Sequence, residues 1–141
     1  MTWRDKASPQ AQDDLDRLLE LALGFARQQL AEHGEFYPYA VVVNDSGEHE
    51  MFAADLPNDQ TESEDAITAL IDAASTRRHE LRAVAIVADT RLPELNSDTV
   101  RVILEHRDGT VMAVLLPYYR RRLGGLVFAD LRATEAGAYV W

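Results

Sequence analysis

The chain has 141 residues, no cysteine and a formal net charge of −10. That length gives one domain with a core able to fold without a metal or a cross-link, and the missing cysteine excludes disulfides, thiolate catalysis and cysteine-based metal centres. The acidic balance argues against nucleic acid and anionic membranes as partners, because phosphate binding needs a basic face.

The negative charge is concentrated. Residues 1–65 carry 15 acids against 4 bases, whereas residues 66–141 carry 9 against 10. Positions 45–65 alone hold 8 acids and no base. The N-terminal Met1–Lys6 is polar, with no apolar signal core, and no apolar run is long enough to span a bilayer, so the expectation is a cytoplasmic protein.

Residues 1–8 read as a flexible lead-in and 9–141 as a single α+β domain. Ser8-Pro9 marks a helix start, with serine as N-cap and proline at the first helical position. Leu15, Leu18, Leu19, Ala22, Phe25, Ala26 and Leu30 recur at helical spacing, and Gly34 is a natural stop. Asp13, Asp14 and Asp16 are expected to complement the positive end of the helix dipole.

Tyr39–Val43 reads as a central strand, apolar on both faces. Asn44–Gly47 is a turn, and residues 48–54 return as an edge strand with Glu48, Glu50 and Phe52 on one face. Thr61-x-x-Glu64 is a capping box opening a second helix, with Ile67, Leu70, Ile71 and Ala74 as its apolar stripe. Residues 83–88 form a third strand and 99–107 a fourth. Asp108-Gly109 is a hairpin turn, 110–116 a fifth strand, 118–125 an irregular connection, and 126–131 a sixth strand.

The order α-β-β-α-β-β-(β) predicts an α+β fold: a mainly antiparallel sheet of five or six strands with two helices, most simply packed on one face. Profilin-like and roadblock-like domains share that element order, which makes a self-associating scaffold or ligand-sensing module, with a homodimer, the alternative function.

The segment His33-Gly34-Glu35-Phe36-Tyr37-Pro38-Tyr39-Ala40, with Ala83–Arg91 and Leu104–Gly109, resembles a group of small bacterial proteins that share an HGEFYPYA-like stretch after the first helix and have no described function. The resemblance implies no catalytic residue and no ligand. Some similar small acidic bacterial proteins are immunity proteins that neutralise toxins. From the residues themselves, Phe36 and Tyr39 are expected to plug the seam between helix and sheet, and Tyr37-Pro38 to be trans.

The histidines at 33, 49, 79 and 106 lack metal-site spacing, so neither metal nor cofactor is expected. On a strand, His106 faces away from Glu105 and Arg107, so Glu105 cannot orient it as a dyad would need. Glu105 and Arg107 are instead expected to pair with charges on neighbouring strands. Asp89 and Arg91, just past a strand end, could frame a polar site with Glu105, the basis of a small enzyme or small-molecule binder. Arg120, Arg121 and Arg122, beside Tyr118 and Tyr119, form a candidate anion site. The leading expectation is a non-enzymatic protein-binding domain. Its acidic face, made of Glu48, Glu50, Asp55, Asp59, Glu62, Glu64 and Asp65, would steer a basic protein partner.

Overall fold

The computed structural model describes residues 7–53, 63–92, 97–121, 124–134 and 136–141. The first helix, α1 (Pro9–His33), starts and stops where its caps dictate. The Ser8 hydroxyl accepts from the Ala11 N–H at 3.1 Å, and Gly34 closes the helix in the left-handed conformation at φ 79°. Strands β1 (Tyr39–Asn44) and β2 (His49–Ala53) form a hairpin. The Asn44 Oδ1 turns it by accepting from the N–H groups of Ser46 and Glu48.

The second helix, α2 (Ser63–Thr76), leads through a short 3-10 turn (Arg78–Glu80) into β3 (Leu81–Leu92). The predicted capping residue Thr61 lies outside the described residues. β4 (Ser97–His106) and β5 (Val111–Arg120) follow, joined at Asp108-Gly109 with Gly109 at φ 100°. Two short strands, β6 (Leu126–Phe128) and β7 (Arg132–Thr134), share the outer edge of β5. The register slips by one residue between them, as in a single edge strand broken by a bulge.

The sheet order is β2-β1-β3-β4-β5-β6, antiparallel throughout. This is the expected α+β fold, with one correction: the helices do not share a face. α1 buries Leu15, Leu18 and Leu30 against Val41, Val87, Val102 and Leu104 on one side. α2 buries Leu70 and Ala74 against Val42, Val84 and Ile86 on the other, where Val140 of the C-terminal segment joins them. Each fully buried leucine contributes about 2 kcal/mol of transfer free energy. The reason for two covered faces lies in β1 and β3, which are apolar on both sides and so need cover on both.

Two strands also run further than predicted. β3 continues through Asp89, Thr90 and Arg91 because its ladder with β4 continues, pairing Asp89 with Val100 and Arg91 with Asp98. Residues 118–120, expected to be irregular, extend β5 and pair with β6. At the α1–β1 seam Tyr39 is buried, its ring 4.9 Å from Phe25 and 5.6 Å from Phe36, and its hydroxyl donates to the Ala22 carbonyl at 2.5 Å. Burial raises the Tyr39 phenol well above its ordinary range. All described peptide bonds are trans. Among the described residues no helix is long and apolar enough to cross a membrane.

Candidate functional site

The β2 edge carries the acidic residues. Among the described residues β2 pairs on one side only, with β1, and four of its five residues are exposed. Register places Glu50 opposite Val42 and Phe52 opposite Ala40, which puts both side chains on the α2 side. Glu48, Glu50, Glu64 and Asp65 are all exposed. Asp55, Asp59 and Glu62 lie outside the described residues.

The face is not as free of bases as positions 45–65 suggest. Arg77, at the far end of α2, donates to both Glu50 oxygens at 2.8 and 3.3 Å, and its guanidinium lies 6.0 Å from the Phe52 ring. Those bonds lower the Glu50 carboxyl below its ordinary value. Arg107 pairs with Asp45 in the hairpin turn. What remains is an elongated acidic edge. Asp65 and Arg77 are twelve residues apart on the helix side, so about 18 Å of helix axis separates the Glu64–Asp65 end from the Glu48–Glu50 end. Glu48, Glu64 and Asp65 carry its charge without an ion pair among the described residues.

The second predicted set, Asp89, Arg91 and Glu105, does not converge. Asp89 follows Val87 on the α1 face, whereas Glu105 follows Ile103 on the α2 face and nearer the other end of β4. Glu105 was expected to meet charges on neighbouring strands. Instead it is buried beneath the C-terminal segment and accepts from three backbone N–H groups: Tyr139 at 3.0 Å, Val140 at 3.0 and 3.2 Å, and Trp141 at 2.8 Å. The segment follows no strand ladder, so its N–H groups need a side-chain acceptor, and a carboxylate offers enough lone pairs for all three.

Asp89 accepts from the Tyr118 hydroxyl at 2.6 Å. Half-burial raises the Asp89 carboxyl, and the nearby Asp98 and Glu35 add to the rise; the Tyr118 bond and Arg120 oppose it. Burial and then Asp89 itself push the Tyr118 phenol upward. Arg91 lies 3.7 Å from Asp98 on the exposed strand ends.

One polar cluster was not anticipated. Asp14 lies under α1, 7% exposed, and its two oxygens take Arg82 Nη2 at 2.8 Å and His106 Nε2 at 2.9 Å. His106 Nε2 faces a carboxylate and so donates to Asp14, while Nδ1 takes the Asp108 N–H at 3.1 Å and lies 3.3 Å from Asp108 Oδ1. Asp14 therefore clamps α1 to β3 and β4 and does not serve as a dipole charge. The signal was available: Ala11, Asp14, Leu18 and Ala22 share the buried stripe, and His106 continues the inward row Val102, Leu104 on β4.

His33, His49 and His79 are exposed and lie on separate elements. Among the described residues no three metal-ligating side chains gather. Of the arginine run, Arg120 turns back to donate to the Gly34 carbonyl at the end of α1, Arg121 is exposed, and Arg122 lies outside the described residues. No family model, curated protein or solved structure matches the chain.

Proposed function

We propose that the chain is a non-enzymatic protein-binding domain whose β2–α2 edge docks a basic partner. The observation that carries this reading is the exposed strand β2, at the end of the sheet among the described residues, with Glu48 beside it and Glu64 and Asp65 about 18 Å along the α2 axis from Arg77, all three exposed and without an ion pair among the described residues. An extended row of like charge raises encounter rates with an oppositely charged surface and fixes register on it. Asp89, Glu105 and His106, weighed in the sequence for chemistry, each hold a structural partner. Glu105 holds the C-terminal segment, His106 and Asp14 hold α1, and Asp89 holds Tyr118. On this reading the chain acts as a small acidic protein that neutralises a cationic protein, a toxin being one such partner.

The test is capture from the lysate of the protein's own host at low and high salt, using the wild type and a Glu48→Lys/Glu64→Lys/Asp65→Lys variant. The expected result is a basic protein held by the wild type at low salt, released at high salt, and bound at least about tenfold more slowly by the variant. Binding that survives the charge reversal unchanged removes the acidic edge as the docking face.

A further inference from the structure

The opposite edge of the sheet carries a different kind of surface. A half-open cavity of about 390 Å³ lies between the last turns of α1 and the β5–β6 hairpin. Its walls are apolar, Leu30 and Ala31 from the helix and Leu126 and Phe128 from β6, and two guanidiniums stand on it, Arg27 and Arg120. Arg27 lies 5.5 Å from the Phe128 ring centroid, the ring acting as its platform. Arg120 spends one donor on the Gly34 carbonyl. Neither has a carboxylate within ion-pair distance among the described residues, and Asp89, whose field Arg120 feels, is bonded to Tyr118. Gly124 and Gly125, both at positive φ, bring the hairpin backbone to the cavity without side chains to fill it.

In a chain of net charge −10, two cations without carboxylate partners beside an apolar cavity define a complementary ligand. We infer that the groove between α1 and the β5–β6 hairpin binds a small amphipathic monocarboxylate, its apolar body against Leu30, Leu126 and Phe128 and its carboxylate on Arg27 and Arg120. The volume falls within the range of small-molecule sites, roughly 300–1,000 Å³, and an apolar lining with a few placed charges is how such sites combine affinity with orientation. Arginine suits the role because its planar fork meets a carboxylate with two parallel bonds. The site is separate from the acidic edge, with the width of the sheet between them, so either can fail without the other.

Titration of the full chain with octanoate, 1-octanol and octylammonium, followed by amide chemical shifts, tests this directly. Octanoate is expected to produce saturable shifts at Leu30, Ala31, Gly124, Gly125 and Leu126. 1-Octanol should bind at least about tenfold more weakly, for want of the charge-assisted bonds, and octylammonium more weakly still. Arg27→Gln, on an exposed helix position, should weaken octanoate about tenfold and leave 1-octanol unchanged. Ala31→Trp, also exposed on α1, should fill the mouth and abolish both while the helix and the remaining amide spectrum stay as they are. Equal binding of the three probes, octanoate affinity unchanged in Arg27→Gln, or no saturable shift at these amides would overturn the inference.

Discussion

Replacing Asp14 by asparagine tests whether the clamp beneath α1 holds the fold as its geometry implies. Two donors converge on Asp14, Arg82 Nη2 on one oxygen and His106 Nε2 on the other. An asparagine offers one oxygen and turns an NH2 group toward the second donor, so one bond becomes an N–H facing an N–H. Arg82, whose side chain is only 18% exposed, also loses its countercharge. Removing one partner of a buried pair costs about 3–5 kcal/mol, and the residual access of Arg82 to water sets the expectation near the lower end, about 3 kcal/mol. A chain of 141 residues has a stability of roughly 7–21 kcal/mol at 0.05–0.15 kcal/mol per residue. The loss is therefore a substantial fraction of the total, and lowers the melting temperature by about 6–12 °C. Urea unfolding followed by circular dichroism, with the m-value checked for constancy, measures it. The companion variant is Asp14→Leu/Arg82→Met/His106→Leu. Apolar replacement of a whole buried ionic set is often neutral or stabilising, so this triple variant should be more stable than Asp14→Asn. A single variant within about 1 °C of wild type would refute the clamp, since about 1 kcal/mol moves a chain of this size by more than that. A triple variant as unstable as the single would show that packing, and not the unpaired charge, is what the single variant lost.

The other two structural clusters make separate predictions. Glu105→Gln should free the C-terminal segment, because an amide cannot accept from three N–H groups arriving on both of its terminal atoms; hydrogen exchange at Val140 should speed up at least tenfold for a loss of about 2 kcal/mol, and unaltered protection there would contradict the assignment. Asp89 has a folded-state pKa above its ordinary 3.8, so the folded form binds the proton more tightly and this group's contribution to stability falls as pH rises through the window above 3.8. Asp89→Asn removes that dependence, so the stability difference between variant and wild type should move in favour of the variant on going from pH 4 to neutral; parallel pH profiles would show that burial does not act on Asp89.

The parts of the fold that were legible in the sequence are those with a local cause. Ser8-Pro9, Gly34, Asn44–Gly47 and Asp108-Gly109 mark their own caps and turns, and the structure places them there. What was not legible depended on pairing partners. Asp89, Thr90 and Arg91 look like a loop because they are polar, yet β4 supplies their ladder partners and keeps them extended. Tyr118–Arg120 are held in β5 by β6 in the same way. The placement of the helices on opposite faces was written in Tyr39–Val43 and Ala83–Ala88, since a strand with no polar side has no side to leave bare. The candidate sites divide likewise. The acidic edge was visible as a run of charge, but its neutralising Arg77 and Arg107 lie 27 and 62 residues from their partners. Asp14 and His106 were visible only as polar residues in apolar rows, 92 positions apart.

This arrangement bears on where binding can occur at all. Helices cover both faces of the sheet, and the C-terminal segment, drawn in by Glu105, covers part of the α2 side. Among the described residues the two sheet margins lie outside that cover. One, β2, ends the ladder among the described residues, with exposed Glu50 in the strand and exposed Glu48 just before it, charge of the kind by which an edge strand resists pairing with copies of itself while staying attractive to a cationic surface. The other is closed by two short strands that share β5 and break register between them, and the arginine-flanked cavity lies between α1 and the β6 end of that margin. Charge separation along the sheet follows from this geometry: bases that fold back onto the acidic margin, Arg77 and Arg107, are consumed there, whereas Arg27 and Arg120 sit too far across the sheet to reach it. The proposed docking of a basic protein at the first margin and the inferred carboxylate binding at the second thus rest on separate parts of one topology. Charge reversal at Glu48, Glu64 and Asp65 should leave octanoate binding intact, and Arg27→Gln should leave the basic partner bound.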